Sequence, residues 1–115
     1  MSIKTQVQAV IDGILNGNIL ETFDAYYADD VVMSENQKDE RVGKAANRQY
    51  EIQFLENVQA FHGGQVGRVI VDGNHAAVEW TFDMTLKGGN RVTMHQVAVQ
   101  TWKDGKIIRE DFYHG

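Results

Sequence analysis

Two histidines and a glutamate, His95, His114 and Glu110, are the residues of this 115-residue chain best suited to moving a proton. An imidazole titrates near neutrality, so in an apolar setting it can take a proton from a carbon acid or return one, and a neighbouring carboxylate can orient it. The competing reading is two histidines at the edge of a core, each satisfied by a carbonyl, a tyrosine hydroxyl or the other ring. With Glu35 or Glu110 they also form a two-histidine, one-carboxylate set, a weak signal in a chain with four histidines. No metal and no cofactor is expected. Zero cysteines exclude a thiol nucleophile, a thiolate metal site and a disulfide framework. Gly63, Gly64 and Gly67 precede no helix start, so they make no phosphate loop.

The chain that carries these groups divides into a helical half and an alternating half. Ile3, Val7, Val10, Ile11, Ile14 and Leu15 recur at helical spacing between a Ser2 cap and an Asn16-Gly17 stop. Asn18 and Glu21 cap a second short helix carrying Ile19, Leu20, Phe23, Tyr26 and Tyr27. Asp29-Asp30 reads as a turn, Val31 to Asn36 as a short strand, and Gln37 to Arg41 as a polar loop. A third helix opens near Gly43 or Lys44, with Ala46, Tyr50, Phe54, Leu55 and Val58 on one face and Glu51 and Glu56 outside. From Ala60 onward the apolar residues alternate. Turns at Asp72-Gly73-Asn74, Gly88-Gly89-Asn90 and Asp104-Gly105 divide the rest into four strands.

Two-residue turns set the register by counting outward, since paired residues share a face. The count pairs Val69 with Val78, Gly67 with Trp80, Gln65 with Phe82, Phe82 with His95, Trp80 with Val97, Val97 with Phe112 and His95 with His114. One face is then almost wholly apolar, with Val78, Trp80, Phe82, Met84, Val97, Val99 and Phe112, and belongs under the helices. Gln65, Thr93, His95, Glu110 and His114 are its few polar members, and buried polar groups need partners or a purpose. Gly67 opposite Trp80 leaves space beside a large ring, as a cavity would. A bulge near Gly88-Gly89-Asn90 is the alternative; it would turn His95 outward and bring Gln96 in. On the opposite face Ile70, Met94, Ala98, Trp102 and Tyr113 make an apolar area that a homodimer would cover.

Helix, helix, strand, helix and long antiparallel sheet, in that order, resemble the nuclear-transport-factor-2-like superfamily. The likeness is to its SnoaL-like branch of polyketide-cyclase and ketosteroid-isomerase relatives. It is carried by Tyr26-Tyr27-Ala28-Asp29-Asp30-Val31-Val32, Val42-Gly43-Lys44, Val78-Glu79-Trp80-Thr81, and Trp102-Lys103-Asp104-Gly105-Lys106-Ile107-Ile108 leading to Phe112-Tyr113. It covers nearly the whole chain, read as one domain over residues 1–115. The resemblance implies an α+β fold: three N-terminal helices on a curved, mixed but mainly antiparallel sheet, a cone-shaped barrel around an internal pocket, and usually a homodimer. Catalytic relatives commonly carry an acid/base aspartate at the end of the last strand, in a tyrosine-x-aspartate context. Here Phe112-Tyr113-His114-Gly115 places Gly115 at that position, and His114 one residue earlier is the available substitute.

The functional expectation is a small-molecule pocket, able to perform cofactor-independent acid/base chemistry on a small apolar carbonyl compound; the alternative is a non-catalytic binding module. His95, His114 and Glu110 are the candidate catalytic groups. Glu35, Tyr26, Gln65, Trp80, Phe82, Met84, Val97 and Phe112 are the candidate ligand contacts. A net charge of −5 without a basic cluster argues against nucleic acid, and the lack of a roughly 20-residue apolar run argues against a membrane span. A cytoplasmic location is the matching expectation.

Overall fold

The computed structural model describes residues 2–115. Three helices and six strands follow in the order α1 (Lys4–Leu15), α2 (Ile19–Tyr26), β1 (Tyr27–Glu35), β2 (Lys38–Val42), α3 (Lys44–Glu56), β3 (Val58–Asp72), β4 (His75–Leu86), β5 (Arg91–Lys103) and β6 (Lys106–His114). The sheet runs β2-β1-β6-β5-β4-β3 and is open, with β2 and β3 as its edges. It is mixed because β1 lies parallel to β6, while every other neighbouring pair is antiparallel.

Local chemistry explains the helical layer. Val7, Val10 and Ile11 are the buried stripe of α1, and Gly17 takes a φ of +82° where the chain turns into α2. Gly13 lets the two helices close, because a Cβ there would fall 2.0 Å from Thr22 Oγ1. Helix α3 buries Asn47. The Asn47 amide donates to the carbonyls of Arg41 at 2.9 Å and Gly43 at 2.8 Å, joining the start of α3 to β2. The expected turn at Asp29-Asp30 is instead part of β1, and the expected loop 37–41 holds β2. Asn36 and Gln37, at φ 51° and 62°, form the tight turn between the two strands, with Glu35 opposite Lys38.

The register departs from simple counting in each of the three hairpins. The Gly73-Asn74 turn is a two-residue loop, as the sequence predicts, with Asp72 opposite His75. A bulge between Val66 and Val69 then places Val66 opposite Trp80 and Gly64 opposite Phe82. Between β4 and β5 the Leu86 amide donates to the Asn90 carbonyl, leaving a three-residue loop in which Gly88 and Gly89 take φ of 99° and 92°. The extra residue pairs Trp80 with Gln96 and Phe82 with Met94. Between β5 and β6, Trp102 faces Ile107 but Thr101 faces Arg109, so Ile108 is a bulge. The last two shifts cancel for β6 relative to β4 and leave β5 inverted, as the first bulge does for β3 around Gln65. Met94, Gln96, Ala98, Gln100 and Trp102 therefore face the helices, while His95, Val97, Val99 and Thr101 face away.

The core gathers under α1 and α2 from Val7, Val10, Ile11, Phe23, Tyr27, Val31, Met33, Ala76, Val78, Trp80, Ala98, Trp102 and Ile107. Among the described residues no helix is long and apolar enough to cross a membrane.

Candidate functional site

Between the helices and the sheet lies a cavity of about 390 Å³. Its walls are mostly apolar: Ile14 from α1, Phe23 from α2, Phe54 and Leu55 from α3, and Trp80, Phe82 and Met84 from β4 are among them. Trp80 and Phe82 stack with centroids 5.1 Å apart and make one continuous flat surface. Into this apolar space project three carboxyl groups, Glu35, Glu51 and Glu110, with Tyr27, Tyr50, Gln96, Gln100 and His114.

Glu110 is the most elaborately held. Its side chain is buried on β6, accepting a hydrogen bond from the Tyr27 hydroxyl on one oxygen and from Gln100 Nε2 at 3.0 Å on the other. Trp102 Nε1 donates to Gln100 Oε1 at 3.0 Å. An indole N–H can only donate, so Trp102 fixes which end of the Gln100 amide accepts and turns its NH₂ toward Glu110. Burial pushes the Glu110 carboxyl up to about 7; the bonds from Tyr27 and Gln100 oppose this, and the charges of Glu51 and Glu35 add to it. The Tyr27 hydroxyl is held well above its ordinary range by burial and by Glu110.

Glu51 lies on the inward stripe of α3 with Asn47, Phe54 and Leu55. Burial raises its carboxyl to about 7, against the opposing pull of Arg41 and with a further push from Glu35. It makes no side-chain hydrogen bond to any described residue. Glu35 differs, because Arg41 Nη2 donates to it at 3.0 Å and His114 Nε2 lies 3.1 Å from its other oxygen. Arg41 is fully engaged: its Nε donates to Asn47 Oδ1 at 3.1 Å, and its guanidinium sits 3.7 Å from the centroid of the Tyr50 ring.

Of the expected catalytic groups, His114 and Glu110 face the cavity and His95 does not. His95 is exposed on the other side of the sheet, with Nδ1 3.1 Å from Thr81 Oγ1, because the three-residue loop before β5 turned its strand over. No histidine pair forms, and the two-histidine metal set goes with it. Among the expected ligand contacts, Glu35, Trp80, Phe82, Met84 and Phe112 line the cavity. Val97 is turned away by the same inversion. Gln65 is exposed opposite Thr81, since the bulge in β3 moved it off the inner face. Tyr26 packs edge-on against Trp102 at 6.4 Å, and the neighbouring Tyr27 takes the cavity position. Gly67 abuts Glu79 rather than making the space beside Trp80.

Glu51 and Gln100 are the groups that the sequence did not single out, while Gln96 lies inside as the alternative register near Gly88-Gly89-Asn90 had it. Glu51 stands three, four and seven residues before Phe54, Leu55 and Val58, so the helical spacing already contained it. For Gln96 and Gln100 the only signal was the alternative register.

The fold has close counterparts among solved structures. A candidate SnoaL-like polyketide cyclase from Mesorhizobium loti superposes with a TM-score of 0.87 at 34% identity, covering 98% of this chain and 99% of that one. A nuclear-transport-factor-2-like protein of unknown function from Burkholderia pseudomallei gives 0.84 at 14% identity, covering 97% and 89%. A protein with a ketosteroid-isomerase-like fold from Catenulispora acidiphila, in complex with trimethylamine, gives 0.77 at 12% identity, covering 94% and 83%. No curated protein matches the sequence. A profile of the SnoaL-like domain matches residues 7–110, and with the Mesorhizobium likeness this shows that the chain belongs to the SnoaL-like domain family.

Proposed function

We propose that this protein binds a compact, largely apolar small molecule in the cavity between helices and sheet, with the molecule's polar group directed at Glu51, Glu110 and Tyr27. The observation that carries this reading is the combination of about 390 Å³ of space with apolar walls and a few convergent polar groups. The apolar walls supply affinity through burial, and the polar groups supply orientation. Solved relatives share the architecture, and the Catenulispora protein's trimethylamine complex adds small organic bases to the compounds worth testing.

Trp80 lines the cavity, so its fluorescence is a direct reporter. Pocket-sized apolar compounds are expected to change that emission and raise the melting temperature. Leu55→Trp, which fills the space from α3, is expected to abolish both responses while leaving the fold intact. Unchanged emission and melting across a set of such compounds would refute the reading.

A second reading, acid/base catalysis without a cofactor, is favoured by Glu51 and Glu110. Carboxyls raised to about 7 can both accept and return protons near neutrality. Glu51, with no hydrogen-bond partner among the described residues, would exchange the proton with a carbon next to a carbonyl. A protonated Glu110 would donate to the Tyr27 oxygen and free the tyrosine hydroxyl to bond the substrate's carbonyl oxygen. Deuterium exchange at the α-carbon of small ketones, followed by NMR, tests it. Exchange lost in Glu51→Gln supports the reading, and exchange at the uncatalysed rate in the unaltered protein sinks it.

A further inference from the structure

Charge is unevenly balanced around the cavity, and the imbalance says something about its occupant. Glu35 from β1, Glu51 from α3 and Glu110 from β6 face it, with Tyr27 and Tyr50 as weak acids and His114 as the one basic side chain among the lining groups. Arg41 from β2 is the nearby cation, and it is spent on Glu35, Asn47 and the Tyr50 ring. His114 is likewise turned to Glu35. Glu110 is met only by neutral donors, and Glu51 by none among the described residues. An ionised carboxyl there has no charged hydrogen-bond partner and feels only the pull of an Arg41 already paired with Glu35, and burying an unpaired charge is costly.

We propose, resting on the small-molecule-binding reading, that the occupant is a small organic cation, an alkyl- or arylammonium, whose charged nitrogen sits by Glu51 and Glu110 and whose carbon skeleton lies on the Trp80–Phe82 surface. Two independent features of the site fit that class. The unpartnered Glu51 is largely buried and aimed into the cavity, where it supplies the missing half of an ion pair. The walls carry Phe23, Phe54, Trp80, Phe82 and Phe112, whose ring faces attract an ammonium that still buries apolar surface. A carboxylate ligand would instead meet the field of three glutamates. A neutral ketone would leave Glu51 and Glu110 uncompensated.

Three shape-matched probes separate charge from shape: benzyltrimethylammonium, its neutral carbon analogue neopentylbenzene, and the anion phenylacetate. Their dissociation constants would be measured by Trp80 fluorescence at about pH 5 and about pH 8, on either side of the pH at which the buried carboxyls ionise. The cation is expected to bind about tenfold or more tightly than neopentylbenzene at the higher pH. That preference should shrink at the lower pH, where Glu51 and Glu110 are protonated. Glu51→Gln is expected to lose most of the preference and keep the binding of neopentylbenzene, which also shows that the variant is folded. Equal or tighter binding of neopentylbenzene at the higher pH, tighter binding of phenylacetate, or an undiminished preference in Glu51→Gln would overturn the ammonium assignment and leave the binding reading intact. If none of the three probes binds to the folded protein, the binding reading itself falls.

Discussion

Replacing Glu110 with glutamine should make the protein more stable at mildly alkaline pH and change little at acid pH. Glu110 is 2% exposed, and its carboxyl titrates at about 7 in the folded protein against an ordinary 4.5. An acid whose midpoint rises on folding keeps its proton longer in the folded chain. Stability is therefore highest below about 4.5, falls as pH climbs to about 7, and levels off above. At about 1.4 kcal/mol per pH unit, the loss across that window is about 3 kcal/mol for this one group. The amide that Glu110→Gln introduces can accept from Gln100 and donate to the Tyr27 oxygen, reproducing the protonated carboxyl without its ionisation. Urea unfolding followed by tryptophan fluorescence at several pH values checks the result. The variant should gain about 3 kcal/mol over the unaltered protein near pH 8 and less than about 1 kcal/mol near pH 5. Glu51 falls in the same window, so the variant should keep roughly half of the original pH slope. A variant destabilised equally at both ends, or an unaltered protein that grows more stable from pH 5 to pH 8, would refute the assignment of Glu110 as a carboxyl raised by burial.

Trp102→Phe strips the indole hydrogen bond that Gln100 Oε1 accepts and should cost about 1–3 kcal/mol beyond lost packing, read by thermal denaturation; an unchanged midpoint would mean Trp102 does not orient that amide. His95→Ala should alter stability by less than about 0.5 kcal/mol and leave ligand binding untouched, whereas loss of binding would put His95 back in the site. A homodimer through the outer sheet face remains a proposal, now resting on Ile70, Val97, Val99 and Tyr113 instead of Met94, Ala98 and Trp102. Val97→Asp should then convert a dimer to a monomer in sedimentation, and an unaltered protein that sediments as a monomer at tens of micromolar, roughly the scale of a weak complex, removes it.

The layers were legible in the residues alone: helical spacing through Lys4–Leu15, Ile19–Tyr26 and Lys44–Glu56, alternation from Ala60 onward, and glycine-bearing turns between strands, because these follow from local periodicity and from where a positive φ is tolerated. The likeness to the family was equally local, carried by short runs of residues. Counting outward from the turns also placed Glu110, His114, Trp80, Phe82, Met84 and Phe112 on one side of the sheet, though through two one-residue errors that cancelled for β6. The facing of β5 was settled by packing in three dimensions, since Gly88-Gly89 suits a two-residue or a three-residue loop, and the two choices send opposite side chains inward. Apolar alternation misled there. Val97 and Val99 read as core, while Gln96 and Gln100 read as surface until Trp102 and Glu110 were seen to occupy Gln100 from both ends. Polar residues can line an interior when partners from distant segments satisfy them, as Tyr27 does for Glu110 across 83 positions of chain. Such pairings belong to the folded arrangement and leave no local mark on the strand that carries them.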